Sequence, residues 1–116
     1  MKKEKQLLAI AEACPQLFKV GKSTFGLTQL YWLQDGKFQG MAVNPLSDLN
    51  AMHEAEKTRW SHKTFRGLFR HYLVSLVNNR LGEAFEPTQE EWEATIHATA
   101  AQRAEAFLRT IGKWEE

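Results

Sequence analysis

A single cysteine, Cys14, among 116 residues excludes an internal disulfide and a cysteine-rich metal site, and fits a reducing compartment. No apolar run approaches the roughly 20 residues of a membrane-spanning helix. Leu7–Ala13 is interrupted by Glu12, so it does not supply the apolar centre of a signal peptide. The net charge is only +1, which leaves no global pull towards nucleic acid or an anionic membrane. Catalytic signatures are equally scarce. There is no Gly-x-Ser-x-Gly elbow, and His53, His62, His71 and His97 match no zinc spacing. His53-Glu54-Ala55-Glu56 lacks the second histidine of a metalloprotease helix. Length and ordinary hydrophobic content (43%) predict one domain over residues 1–116. The expectation is a soluble, cytoplasmic protein with no cofactor, no metal and no catalytic residues.

What is present reads mostly as helix. Residues 2–14 place Leu7, Leu8, Ala11 and Cys14 on one face, and Pro15 ends the helix. Residues 16–26 read as a connector. From Thr24 to Gln34 the pattern has period two, with Phe25, Leu27, Tyr31 and Leu33 on one parity. Asp35-Gly36 then signals a two-residue hairpin turn, and Lys37–Val43 is the returning strand. After Asn44-Pro45-Leu46, a helix capped by Ser47 carries Leu49, Met52 and either Glu56 or the stem of Lys57. Residues 63–79 repeat Phe65, Leu68, Phe69, Tyr72, Leu73, Leu76 and Val77 at helical spacing. Two capping boxes follow, Thr88 with Glu91 and Thr99 with Gln102. The second predicts a break at Ala98-Thr99 and a final docked helix bearing Ala101, Ala104, Phe107, Leu108 and Ile111. Glu105 and Arg109 stand four apart on it, and Gly112 turns the chain out. The fold class is therefore α+β, a small β-hairpin packed on a mainly helical domain. The alternative is a nearly all-α bundle.

Gly21-Lys22-Ser23-Thr24 matches the end of a phosphate-binding loop, but the position needing the first glycine is Gln16, so a plain polar turn is expected. Cys14 lies on an apolar helix face and reads as a structural thiol. An enzyme would have to draw on His53 with Glu54 and Glu56.

Charge is distributed unevenly. No acid occurs between Glu56 and Glu83, whereas Lys57, Arg59, Lys63, Arg66, Arg70 and Arg80 are all basic. Residues 83–93 reverse this with Glu83, Glu86, Glu90, Glu91 and Glu93. The six cations are the candidate partner-binding residues. They contact either a partner or the acidic segment, within the chain or across a homodimer.

Ser47–Lys57 and Ala98–Trp114, together with Leu8–Cys14, resemble the small phage and prophage proteins grouped as the phage ABA-sandwich family. The resemblance covers about a third of the chain and departs from the family pattern in the basic 58–82 region. It implies helices layered on a small sheet and carries over no active-site residue. It implies a phage- or prophage-encoded accessory protein in a bacterial host. Such a protein acts by binding a host protein, to inhibit a defence system or redirect host machinery. The alternative is nucleic-acid binding through the basic helix 57–80.

Overall fold

A computed structural model describes residues 1–116 as five helices and a three-stranded antiparallel sheet: α1 (Lys3–Ala13), β1 (Phe18–Lys22), β2 (Thr28–Gln34), β3 (Lys37–Val43), α2 (Leu49–Lys57), α3 (Lys63–Val77), α4 (Gln89–Ile96) and α5 (Ala100–Thr110). The class is α+β, and the sheet order is β1-β2-β3. No helix is long and apolar enough to cross a membrane.

The hairpin forms where Asp35-Gly36 places it, with φ of 52° and 75° at the two turn residues, the left-handed pair that matches strand twist. The sheet differs from expectation in two ways. First, the 16–26 connector contains β1, whose Phe18 pairs with Trp32 and Val20 with Leu30. Gly21 looks like a breaker in the sequence, but it is a packing residue. The Tyr31 ring lies across it, and a Cβ there would stand 2.7 Å from Tyr31 Cε2. Second, the buried face of β2 has the opposite parity. Leu30 is fully buried and Trp32 packs on Phe18 with ring centroids 5.2 Å apart, whereas Phe25 and Leu27 lie in the β1–β2 turn, with Phe25 89% exposed. Tyr31 instead meets Phe38 edge-on across the outer face. Between the pairs Tyr31–Ala42 and Leu33–Phe38, β3 carries extra residues. Gly40 absorbs the bulge at φ 72°.

α1 packs against β1, β2 and α5. Ile10 and Ala11 are its buried residues, joined by the buried C-cap Cys14, and Leu8 faces outward. Asp48, not Ser47, caps α2 by accepting from the Ala51 amide. Of the two residues left open there, Glu56 is the buried one. α5 is the central helix and touches α1, α2 and α3. Ala100, Ala104, Ala106, Phe107 and Leu108 are buried along it, while Ala101 is exposed. Both capping boxes form, and the chain breaks between α4 and α5. Lys113 N–H donates to Leu108 O and Gly112 N–H to Arg109 O, the paired bonds of a Schellman stop.

α3 changes character along its length. In its first half Phe65 and Phe69 are buried, stacked with centroids 5.5 Å apart, while Leu68 is exposed. In its second half Leu73, Val74 and Ser75 are all buried, and its C-cap Asn78 ties the helix to α4, with Nδ2 donating to Glu91 O.

Thr99 holds the first turn of the central helix, so Thr99→Ala is expected to cost about 1 kcal/mol in chemical denaturation, with Thr99→Ser recovering most of it. Glu91 supplies a pH test. The Thr88 amide, then Arg80, holds its carboxyl below the usual value of 4.5. A depressed folded pKa contributes stability that is present above the unfolded value and lost as pH falls through the folded one. Glu91→Gln is therefore expected to destabilise at pH 7 and to converge with wild type in acid below pH 4.5, as read by thermal unfolding across pH.

Candidate interaction surface

The turn after α2 creates an exposed corner. Thr58 Oγ1 donates back to Ala55 O, and Arg59 Nη2 reaches Ala13 O, fastening the turn to the end of α1. Cys14 lies beneath it, fully buried, with Sγ 3.7 Å from Thr58 Oγ1. Burial pushes the thiol pKa up, against the opposing Thr58 hydrogen bond and Arg59 charge. That environment makes Cys14 a packing residue and not a nucleophile.

Trp60 stands at the corner, 38% exposed. Its ring meets Phe69 edge-on at 6.4 Å, its carbonyl accepts from Arg66 Nη1 at 3.1 Å, and the Arg70 guanidinium lies 5.7 Å from its centroid. The indole thus packs on one apolar ring and one guanidinium, while Arg66 ties the backbone beneath it. On α3 beside it, Lys63, Arg66 and Arg70 form a ridge, with Gly67 one turn from Lys63 and Arg70. Gly67 is exposed, and a Cβ added to it would meet nothing within 4 Å.

On the other side of Trp60 a groove of about 490 Å³ runs between α2 and α5, lined by Asn50, His53, Glu54, Glu56, Lys57, Trp60 and Arg103. Its floor is an ion pair between helices. Arg103 Nη2 and Nε donate to Glu56 Oε1 and Oε2 at 2.6 and 2.9 Å. Glu56 is only 4% exposed, and the Arg103 guanidinium also lies 5.5 Å from the Phe69 ring. Both carboxylate oxygens accept from Arg103, so Glu56 joins α2 to α5 beneath the groove. Glu54 is engaged by Lys57 at 3.0 Å.

The six sequence-selected cations separate into two groups. Lys57 pairs with Glu54. Arg80 pairs with Glu83 and, through a 3.0 Å contact, with Glu91, and it stacks on Phe85 at 3.8 Å. The Glu91 hydrogen bond raises the Arg80 pKa above its usual value. The acidic segment is therefore neutralised in part, by Arg80 alone. Arg59, Lys63, Arg66 and Arg70 have no acidic partner within 4.0 Å, and Arg66 and Arg70 gather on Trp60. The Gly21-Lys22-Ser23-Thr24 fragment is a turn only in its second half: Gly21 and Lys22 end β1, paired with Gln29 and Thr28, and Ser23 closes the turn by hydrogen-bonding Leu27. Sequence reasoning missed Trp60 as the centre of the surface and missed Glu56–Arg103 altogether. The available signal for Trp60 was its place in a turn outside the periodic stripe of α3.

Breaking the floor pair should be costly, because either partner alone is left buried and charged. Glu56→Ala or Arg103→Ala is expected to lose roughly 3–5 kcal/mol, whereas Glu56→Leu with Arg103→Met recovers most of it. Urea denaturation of the three variants reads this directly. The chain matches no protein-family model, no curated protein and no solved structure.

Proposed function

We propose that this is a phage- or prophage-encoded, non-enzymatic accessory protein that binds an acidic surface of a host protein through the Trp60 corner. The phage context rests on the resemblance of residues 47–57 and 98–114. The docking surface rests on one observation: a partly exposed tryptophan has the Arg70 guanidinium against its ring and Arg66 on its backbone carbonyl, and neither arginine has an acidic partner. Tryptophan and arginine are the residue types that dominate binding energy at protein interfaces. An indole already packed against Phe69 and Arg70 also loses less entropy when a partner covers it.

Gly67 adds support. A glycine inside a helix costs about 1 kcal/mol relative to alanine, and nothing in the chain crowds this one. A missing side chain in the middle of a basic helix face gives an incoming backbone a close approach. The buried pairing of Glu56 with Arg103 supports a structural role for that carboxylate beneath the adjoining groove.

Nucleic-acid binding is the second reading, favoured by the same unpaired cations beside an aromatic ring. Salt separates the two. Phosphate binding loses affinity linearly in log salt with a slope near the number of contacts, whereas an aromatic-centred protein interface depends on salt more weakly.

The test is capture from host-cell lysate by the tagged protein, with and without nuclease, followed by mass spectrometry. A stoichiometric protein that survives nuclease is expected, with capture falling at least tenfold (about 1.4 kcal/mol) in Trp60→Ala and in Arg66→Glu/Arg70→Glu. Circular dichroism of both variants should match wild type. Unchanged capture by both would remove this surface, and nuclease-sensitive recovery would favour the nucleic-acid reading.

A further inference from the structure

The acidic half of the charge pattern is left over. Glu83 and Glu91 are taken by Arg80, but Glu86, Glu90 and Glu93 have no cation within 4.0 Å. Gln89, Glu93 and Ile96 recur at helical spacing on the solvent side of α4, flanked by Glu90 and Trp92. Ile96 is 75% and Trp92 44% exposed. An eight-residue helix thus presents two large apolar side chains set among uncompensated carboxylates. That is the chemical complement of the ridge, where an indole is set among uncompensated guanidinium and ammonium groups.

The two faces are adjacent in the fold. Lys63, Gly67, Arg70 and Val74 follow one stripe of α3; the first three are exposed, and Val74 is buried in the half against which α4 packs. Ridge and α4 therefore succeed each other along one side of the molecule. A two-fold pairing would let the ridge of each copy meet α4 of the other. A net charge of +1 sets no long-range repulsion against such pairing.

We propose that the Trp60–Arg70 ridge is covered by α4 of a second copy of this chain, so that the free protein is a homodimer whose interface hides the host-partner site. The occupant is identified by charge complementarity: α4 supplies Glu90 and Glu93 to Arg66, Arg70 and Lys63, and Trp92 and Ile96 to Trp60. The host partner then competes with α4 for the same ridge. This regulatory step rests on the reading of the ridge as the partner site, while the dimer itself does not.

Sedimentation equilibrium over rising protein concentration tests it with two charge-reversed variants, Glu90→Lys/Glu93→Lys and Arg66→Glu/Arg70→Glu. Wild type is expected to move from the 13.4 kDa chain mass towards twice that value, and each variant alone is expected to stay at the chain mass. An equimolar mixture of the two variants is expected to regain the dimer, because one copy then carries two basic faces and the other two acidic ones. A monomeric wild type, a dimeric single variant or a monomeric mixture of folded variants overturns the proposal. Lysate capture keeps the two readings apart. Glu90→Lys/Glu93→Lys retains the ridge and is expected to capture the host partner at least as well as wild type. If capture depends on Arg66 and Arg70 while wild type is monomeric, the dimer fails and the partner site stands.

Discussion

The Glu56–Arg103 pair is the constraint on which the helical half depends. It joins residues 47 apart in sequence, one on α2 and one on α5, and the same guanidinium lies against Phe69 of α3. Three helices thus share one charged contact. Desolvating two ions is unfavourable in itself, and only the two-pronged geometry and the surrounding packing offset it. The apolar contacts around it fill volume: Phe107 meets Phe65 edge-on at 5.8 Å, and Phe65 stacks on Phe69. Close apolar packing already resists sliding, and a carboxylate that meets a guanidinium with both oxygens fits only one offset. The pair therefore reinforces the register of α2 against α5.

That register determines what lies outside it. Trp60 follows α2 by a short turn, so fixing α2 fixes where the indole emerges. Phe69 is shared, with the Arg103 guanidinium near its ring and the Trp60 ring centroid 6.4 Å from its own. The Arg59 bond to Ala13 O anchors the turn from the α1 side. The exposed corner is thus an extension of the core into solvent. On the proposed reading, an aromatic packed in this way would lose less entropy on association.

Local chemistry is legible in the sequence wherever it is self-contained. Thr99 with Gln102, Thr88 with Glu91, Asp35-Gly36 and Glu105 with Arg109 each act within four residues, and each forms as expected. Features decided by distant neighbours are not legible. β1 is hidden because Gly21 looks like a break unless the Tyr31 ring is known to lie on it. The parity of β2 misleads because Phe25, Leu27, Tyr31 and Leu33 outnumber the apolar residues that α1 and Phe18 cover. α2 starts one residue later than Ser47 implies because an aspartate follows the serine and captures the Ala51 amide. At the candidate site, the basic composition of α3 is plain, but which cations stay free depends on where Glu54 and Glu91 end up.

Unpaired charge is distributed on this surface by the fold and not by shortage. A chain with near-equal numbers of acids and bases has enough partners for almost every ion, and Lys57, Arg80, Arg103 and Arg109 are paired in that way. Arg66 and Arg70 are instead directed at Trp60, and Glu90 and Glu93 are turned to solvent. Surface pairs contribute little to stability, so leaving them unmade costs the fold almost nothing. Complementary potentials across an interface raise the rate and selectivity of encounter much more than they add to affinity. On the proposed reading, the same charges, left unpaired within the chain, would act mainly on how it meets a partner.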